Sequence, residues 1–176
     1  MSDVDPTLVD RVVARFGGRV AAHPSLGGQA AVVVATADLT EVAALLRDDP
    51  EFAFDLLIDL VGVDRLGHPG RPEPRFELLY HLRSLSTGQR LRLHVPVPDD
   101  AAEVASLWRL WHAANWLERE AWDLFGIRFT GHPNLRRILC HHRFEGHALR
   151  KDYPIQRRQR LDEPDEFLLT DDPEAA

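Results

Sequence analysis

The sequence predicts an α/β fold of the α+β kind, an antiparallel-rich sheet packed with helices and followed by a partly extended C-terminal arm. Three observations carry this. Two amphipathic helical patterns precede Pro50, three runs of period-two alternation fill Phe52 to Val97, and after Pro98 the text turns to Trp, Arg, His, Gly and Pro with little periodicity. At 176 residues, 44% apolar and 28% charged, the chain is long enough for a core of its own and too apolar for wholesale disorder.

The first helix should begin with Asp5 as N-cap and Pro6 in its first turn, bury Val9, Val12, Val13 and Phe16, and stop at Gly17-Gly18. A strand is expected around Gln29 to Thr36. Asp38 and Glu41 then have the spacing of a capping box, and Val42, Leu45 and Leu46 form the stripe of a second helix that ends before Pro50. In the next strand Phe52, Phe54, Leu56, Ile58 and Leu60 alternate with Asp55 and Asp59. Phe76, Leu78, Tyr80 and Leu82 oppose Glu77, His81 and Arg83, and Leu91, Leu93, Val95 and Val97 oppose Arg90, Arg92 and His94. The short connections, Asp64 to Pro74 and Ser84 to Gln89, suit antiparallel neighbours with one wet face and one face under the helices. Pro96 limits the last strand to an edge or to its final residues. Further on, helical spacing runs from Ser106 to Asp123, with Trp108, Trp111 and Trp122 on one side and Trp116 on another, and a short helix fits Asn134 to Leu139. The divisions are 1–98 for the α/β domain, 99–160 for a signature helix and partner-binding arm, and 161–176 for an acidic tail.

Several classes are set aside. The longest apolar run, Phe52 to Val63, is broken by Asp55 and Asp59 and falls short of a spanning helix. Met1 to Asp5 has neither the positive flank nor the apolar core of a secretory signal, which makes the cytoplasm the expected compartment. A single cysteine, Cys140, permits no intrachain disulfide and no Cys-based zinc cluster. Charge is unevenly placed: net −6 to Leu135, +6 from Arg136 to Arg160 and −7 beyond, with Lys151 the only lysine. Nearly all positive charge is therefore guanidinium, suited to bidentate pairing with carboxylates.

Four constellations compete for a function. Cys140-His141-His142 with His132 and His147 is rich in ligand types, but adjacent side chains diverge and no two-residue-spaced pair accompanies them, so a polar loop is the better reading. Glu118, Glu120 and Asp123, or Cys140, could serve catalysis, yet Arg119 and Asp123 stand first of all at salt-bridge spacing and Cys140 lacks an oriented base. Arg136-Arg137, Arg150-Lys151 and Arg157-Arg158 could contact phosphates, but the chain is acidic overall and a protein partner suits them better. The strongest reading is that partner: Trp108 to Pro154 gathers four Trp, several Arg, Phe125, Phe129 and Tyr153, the side chains enriched at interface hot spots.

These residues carry a resemblance. Ala114-Asn115-Trp116-Leu117-Glu118-Arg119-Glu120-Ala121-Trp122-Asp123-Leu124-Phe125-Gly126-Ile127 resembles the ERExxDxFGI signature of the C subunit of proton-pumping NADH:quinone oxidoreductase, respiratory complex I, the family of its 30-kDa subunit. Phe129, Gly131-His132-Pro133 and Leu135-Arg136-Arg137-Ile138-Leu139 match its FxGHPxLRRIL block, and Gly146-His147-Ala148-Leu149-Arg150-Lys151-Asp152-Tyr153-Pro154 its GHPLRKDYP block, with Ala148 in place of the first Pro. His112 also stands where relatives often have Pro. The resemblance implies a non-catalytic peripheral-arm subunit that scaffolds the neighbouring D subunit for electron transfer from NADH to quinone coupled to proton translocation. It implies no cofactor in this chain, with NADH, FMN, iron–sulfur clusters and quinone used by the assembly. It also implies attachment through the complex to the cytoplasmic face of the cell inner membrane, and no nucleic acid. The alternatives are the equivalent scaffold subunit of a membrane-bound hydrogenase-type assembly and, behind it, an Arg-rich RNA-binding module. By position, Glu118, Arg119, Glu120 and Asp123 would pair within the chain or with the partner, Gly126, Gly131 and Gly146 would permit bends, and His132-Pro133 would shape a turn. Arg136, Arg137, Arg150 and Lys151 would meet partner carboxylates. Phe125, Leu139, Leu149 and Tyr153 would bury against the partner, with His147, Asp152 and Pro154 completing that surface. On this reading Glu120→Ala or Arg137→Ala weakens association and leaves stability nearly unchanged.

Overall fold

A computed structural model describes residues 6–24, 28–70, 74–98, 102–156 and 159. Asp5, Arg157, Arg158 and the acidic segment 161–176 lie outside the described residues, and so do the cap, the phosphate contacts and the tail expected there. The order is α1 (Pro6–Phe16), β1 (Val20–Ala22), β2 (Ala31–Val34), α2 (Leu39–Asp48), β3 (Leu56–Asp64), β4 (Phe76–Arg83), β5 (Arg90–Val97), β6 (Glu103–Ala105), α3 (Ala114–Phe125) and β7 (Arg128–Thr130), with a single 3-10 turn at Gly17–Arg19. Five strands form one sheet in the order β1-β2-β5-β4-β3, and β6 and β7 make a small parallel pair.

The sheet is antiparallel except where β2 meets β5, a parallel pairing. Alternation could not reveal this, because period two records the face a residue takes and not the direction of the neighbouring strand. Along β4 and β5 the cross-strand pairs Phe76–Val97, Leu78–Val95, Tyr80–Leu93 and Leu82–Leu91 line the core face, each residue 2% exposed or less. Over them lie Leu8, Val12 and Phe16 of α1, spaced one helical turn apart, and Leu39, Val42 and Leu46 of α2. β5 is an interior strand and Pro96 stands among its final residues, the second of the two expected placements: β2 pairs only with Arg92 to His94, so the missing N–H falls past its end.

Four expectations need correction. Asp38 has helical dihedrals and makes no side-chain cap, while Glu41 turns to Arg19 at 2.7 Å, so no capping box forms. Phe52 and Phe54 are fully buried yet precede the strand: Ala53 takes φ 44 in a tight turn after which Leu57 faces the core, and a register shift between Leu57 and Asp59 brings Leu60 to the core as well, leaving Leu56 and Ile58 37% and 47% exposed. The long helix from Ser106 begins only at Ala114, after β6 and a run of turns. Trp111 instead donates its indole N–H to the Phe54 carbonyl at 3.1 Å, and Trp108 donates to the Gly131 carbonyl at 3.0 Å. Residues 134–139 form no helix. The three-residue strands β1, β6 and β7 were missed because alternation needs more length to register.

Candidate functional site

The signature residues gather around α3, and the buried charged side chains on it bind neighbouring segments, Glu118 the one upstream and Arg119 and Asp123 the one downstream. Upstream, the fully buried Glu118 accepts the Leu107 backbone N–H at 2.7 Å with one oxygen and meets the Ser106 hydroxyl with the other. These bonds fix the 106–107 segment against α3. Burial pushes the Glu118 carboxyl up to about 7, against the two hydrogen bonds.

Downstream, the Asp123 carboxylate, 0% exposed, accepts the N–H groups of Ile138, Leu139 and Cys140 at 3.1, 2.9 and 2.9 Å and pairs with the Arg137 guanidinium at 2.5 Å. Burial alone would raise this carboxyl; the N–H groups of Cys140 and Leu139, the guanidinium and the Ile138 N–H outweigh burial and hold it below the usual carboxylate range. Three successive amides turned toward one carboxylate are not free to close a helix, which is why 134–139 stays irregular. Arg119 does not pair with Asp123 across its turn. It donates to the carbonyls of Arg136 at 3.0 Å and Arg137 at 3.3 Å, and its guanidinium lies 4.9 Å from the Trp116 ring centre.

The GHALRK stretch caps the C-terminus of α3. A helix ends with four carbonyls lacking partners and with partial negative charge. Here Gly126 N–H donates to Trp122 O at 2.8 Å, His147 Nδ1–H to Asp123 O at 2.9 Å, Leu149 N–H to Leu124 O at 3.0 Å and Arg150 Nε–H to Phe125 O at 2.6 Å. Gly126 turns with φ 76, and a Cβ there would meet His147 Cδ2 at 2.5 Å and Arg150 Nη2 at 2.6 Å. His132 ties the following loop to the first turn of α3. Its Nδ1 accepts the Asn134 N–H at 3.0 Å, so Nε2 carries the proton given to the Asn115 carbonyl at 2.9 Å, and burial lowers its pKa in favour of that neutral form.

A second anchor escaped the sequence reading. Arg75, 5% exposed, binds Asp64 through Nε and Nη2 at 2.9 and 2.8 Å and Asp152 through Nη1 and Nη2 at 3.1 and 2.7 Å, while the Lys151 N–H donates to Asp64 at 2.9 Å. Burial pushes the Asp64 carboxyl up, but Arg75 and the N–H groups of Lys151 and Leu66 prevail and hold it at about 2. The Arg150 guanidinium lies 5.1 Å from the Phe76 ring centre and that of Arg75 4.7 Å. Asp64 and Arg75 sit at the two strand ends flanking a Gly/Pro-rich connection, and the link from Arg75 to Asp152 spans 77 positions, beyond any local pattern.

Several assigned roles therefore change. Arg137 and Arg150 direct their guanidiniums into the chain, Arg137 also reaching the Gly146 carbonyl at 2.9 Å. Phe125 packs against Gly62, where a Cβ would lie 2.6 Å from its ring. Tyr153 is half-buried against Phe144, with ring centres 5.6 Å apart, and under Gly146, where a Cβ would lie 2.9 Å from it. Outward-facing are Trp116, Leu139, Leu149 and Ile155, at 63%, 61%, 51% and 97% exposure, with Glu120, Gly131, Pro133, Lys151, Asp152 and Pro154 also exposed. Arg136 is half-buried and its backbone carbonyl serves Arg119. No group of three or more metal-ligating side chains occurs among the described residues. His141 and His142 stack at 4.3 Å, and burial, then Asp123, pushes the Cys140 thiol up, toward its unreactive protonated form.

Comparison with known proteins bears on this arrangement. The family model described as the 30 Kd subunit of respiratory-chain NADH dehydrogenase matches residues 32–159. The C subunit of the NADH-quinone oxidoreductase of Burkholderia cenocepacia is 47% identical over 152 residues, 85% of this chain and 76% of that protein. The corresponding C subunit of Methylobacterium radiotolerans is 45% identical over 148 residues, covering 84% and 66%. Among solved structures, a trypsin-resistant fragment of Nqo5 superposes with a TM-score of 0.65 at 32% identity, over 73% of this chain and 97% of the fragment. A chain of a membrane-bound sulfane sulfur reductase shares the fold, with a TM-score of 0.58 at 20% identity over 71% and 69%.

Proposed function

Since this chain belongs to the family of the 30 Kd subunit of respiratory-chain NADH dehydrogenase, we propose that it serves as the peripheral C subunit of an NADH-quinone oxidoreductase and acts there as a scaffold with no catalytic residue of its own. The observation that carries the scaffold reading is the arm. Residues 136–153 are fastened to α3 and to the β3–β4 end by buried charge and backbone capping, so the exposed side chains they present are held at fixed positions. Rigid presentation of apolar and aromatic groups lowers the ordering cost of binding a partner. Trp116, Leu139, Leu149 and Ile155 are the apolar contacts of that surface, with Glu120 and Lys151 as polar neighbours. The partner proposed for it is the D subunit.

The assembly of this family uses NADH, FMN, iron–sulfur clusters and quinone. This chain's donor set does not fit a cluster: its one cysteine is pushed toward the thiol form, and iron–sulfur ligation takes several thiolates. No helix among the described residues is long and apolar enough to cross a membrane, so the proposed attachment to the cytoplasmic face of the inner membrane is through the complex.

An N-terminally tagged full chain, recovered from membranes in mild detergent, tests the reading. Copurification of a flavin- and iron–sulfur-containing assembly that oxidises NADH and reduces quinone supports it. Recovery of a hydrogenase-type assembly reassigns the complex, and recovery of the chain alone or with RNA removes the subunit reading.

A further inference from the structure

The sheet has a second face, opposite α1 and α2, whose charges the arm does not use. On it Arg83 stands directly across from Arg90, and His81 directly across from Arg92. The directly opposed like charges Arg83 and Arg90 destabilise a sheet, and no ion pair relieves them: none of the three guanidiniums has one with a described carboxylate, and the Nε atoms of Arg83 and Arg92 are buried without a hydrogen-bond partner among the described residues. Arg92 reaches the side-chain oxygen of Gln29 through Nη2. A cleft of about 160 Å³ opens between these strands, lined by Arg90, Arg92, His81, Ile58, Gln29 and a single carboxylate, Asp59. Apolar side chains flank it, with Leu56, Ile58 and Val61 37%, 47% and 38% exposed.

The far end of the same face is different. There Glu77 is satisfied by His94 at 2.9 Å and by Arg65, and His23 stacks on His94 at 3.8 Å. One end of the face is thus internally neutralised and the other carries uncompensated guanidinium, in a chain whose net charge is −7.

Resting on the subunit reading above, we propose that the Arg83–Arg90–Arg92 end of this face is a second docking surface, taking an acidic segment with interspersed apolar side chains from a neighbouring subunit of the assembly. Carboxylates entering the cleft would pair with the Arg90 and Arg92 guanidiniums and offset the Arg83–Arg90 repulsion. The exposed Leu56, Ile58 and Val61 favour a protein occupant over a nucleic acid, because phosphate backbones offer them no apolar counterpart.

The test uses the full-length tagged chain with Arg83→Gln and Arg90→Gln together. Isolated chains are melted, and membrane assemblies are washed on the affinity matrix with rising salt. The expected result is a melting temperature at or above the parent's, since a repulsive pair is removed, with retention of neighbouring subunits at raised salt lower by about fivefold or more. Unchanged retention overturns the proposal, whatever the melting temperature does. A lowered melting temperature with proportionate subunit loss overturns it too, by making the pair structural. RNA bound to the parent and lost from the variant replaces the occupant with a nucleic acid. If the parent chain itself recovers no assembly, the subunit reading fails, and the two failures are distinct.

Discussion

Asp123→Ala removes the joint between α3 and the arm. The carboxylate is 0% exposed and its partner Arg137 13%, and it also holds the amides of Ile138, Leu139 and Cys140. Deleting one member of a buried ion pair costs about 3–5 kcal/mol, because the remaining charge and donors stay desolvated. The bonds lost tether the arm and touch no strand of the main sheet, so the cost should appear as local opening. At about 1.4 kcal/mol per factor of ten, exchange at those three amides should accelerate by about a hundred-fold to several thousand-fold, up to the limit set by the arm's own stability. Hydrogen exchange resolved by residue in the full-length chain measures this, with the amides of β4 as the internal reference, expected to keep their protection. Exchange at 138–140 within about threefold of the parent would refute the view that Asp123 holds the arm. The same geometry revises the expectation for Arg137→Ala: this variant should free the arm as well as weaken association, whereas Glu120→Ala, at an exposed position, should leave exchange unchanged.

Three more outcomes follow from the site. The Glu118 carboxyl is raised from 4.5 to about 7, so its contribution is present at low pH and fades as pH rises between those values; Glu118→Gln should match the parent near pH 5 and exceed it by about 3 kcal/mol near pH 8 in paired thermal melts. Asp64 is depressed from 3.8 to about 2, which places its contribution above pH 4 and removes it as pH falls toward 2; the Asp64–Arg75–Asp152 anchor should release the arm to limited proteolysis over that window, and Arg75→Ala should release it already at neutral pH. Gly126→Ala combines a φ of 76 with a Cβ 2.5 Å from His147, and a loss of about 1–3 kcal/mol is expected in denaturant unfolding.

Much of the fold was legible because its longer elements obey simple periods. The alternation of β4 and β5 and the four-residue spacing of α1 translate directly into the buried faces observed. Where the sequence reading failed, a side chain had captured backbone groups from far away. Asp123 gathers the amides of residues 138 to 140 and so abolishes a helix over 134–139. No local window contains both partners of such a bond. In the first long strand, the positive φ of Ala53 and the register shift after Leu57 exchanged faces midway, so unbroken alternation in the text concealed a change of side in space. The signature block marked the residues of the site as a group but not what they touch: Arg137, Arg150 and Phe125, expected to meet a partner, are turned inward, and Asp64 and Arg75, which complete the anchor, lie outside any motif.

On the proposed reading the arm, held rigid on α3, presents its exposed apolar side chains to the D subunit. A photo-crosslinking residue at Leu149, 51% exposed, in the intact membrane assembly tests it most directly, with a second at the solvent-facing Thr40 on α2 as reference. Position 149 should crosslink to the D subunit and position 40 should not. Crosslinks from position 149 only within this chain or to some other subunit, in an assembly that reduces quinone, would mean that the arm does not face the D subunit.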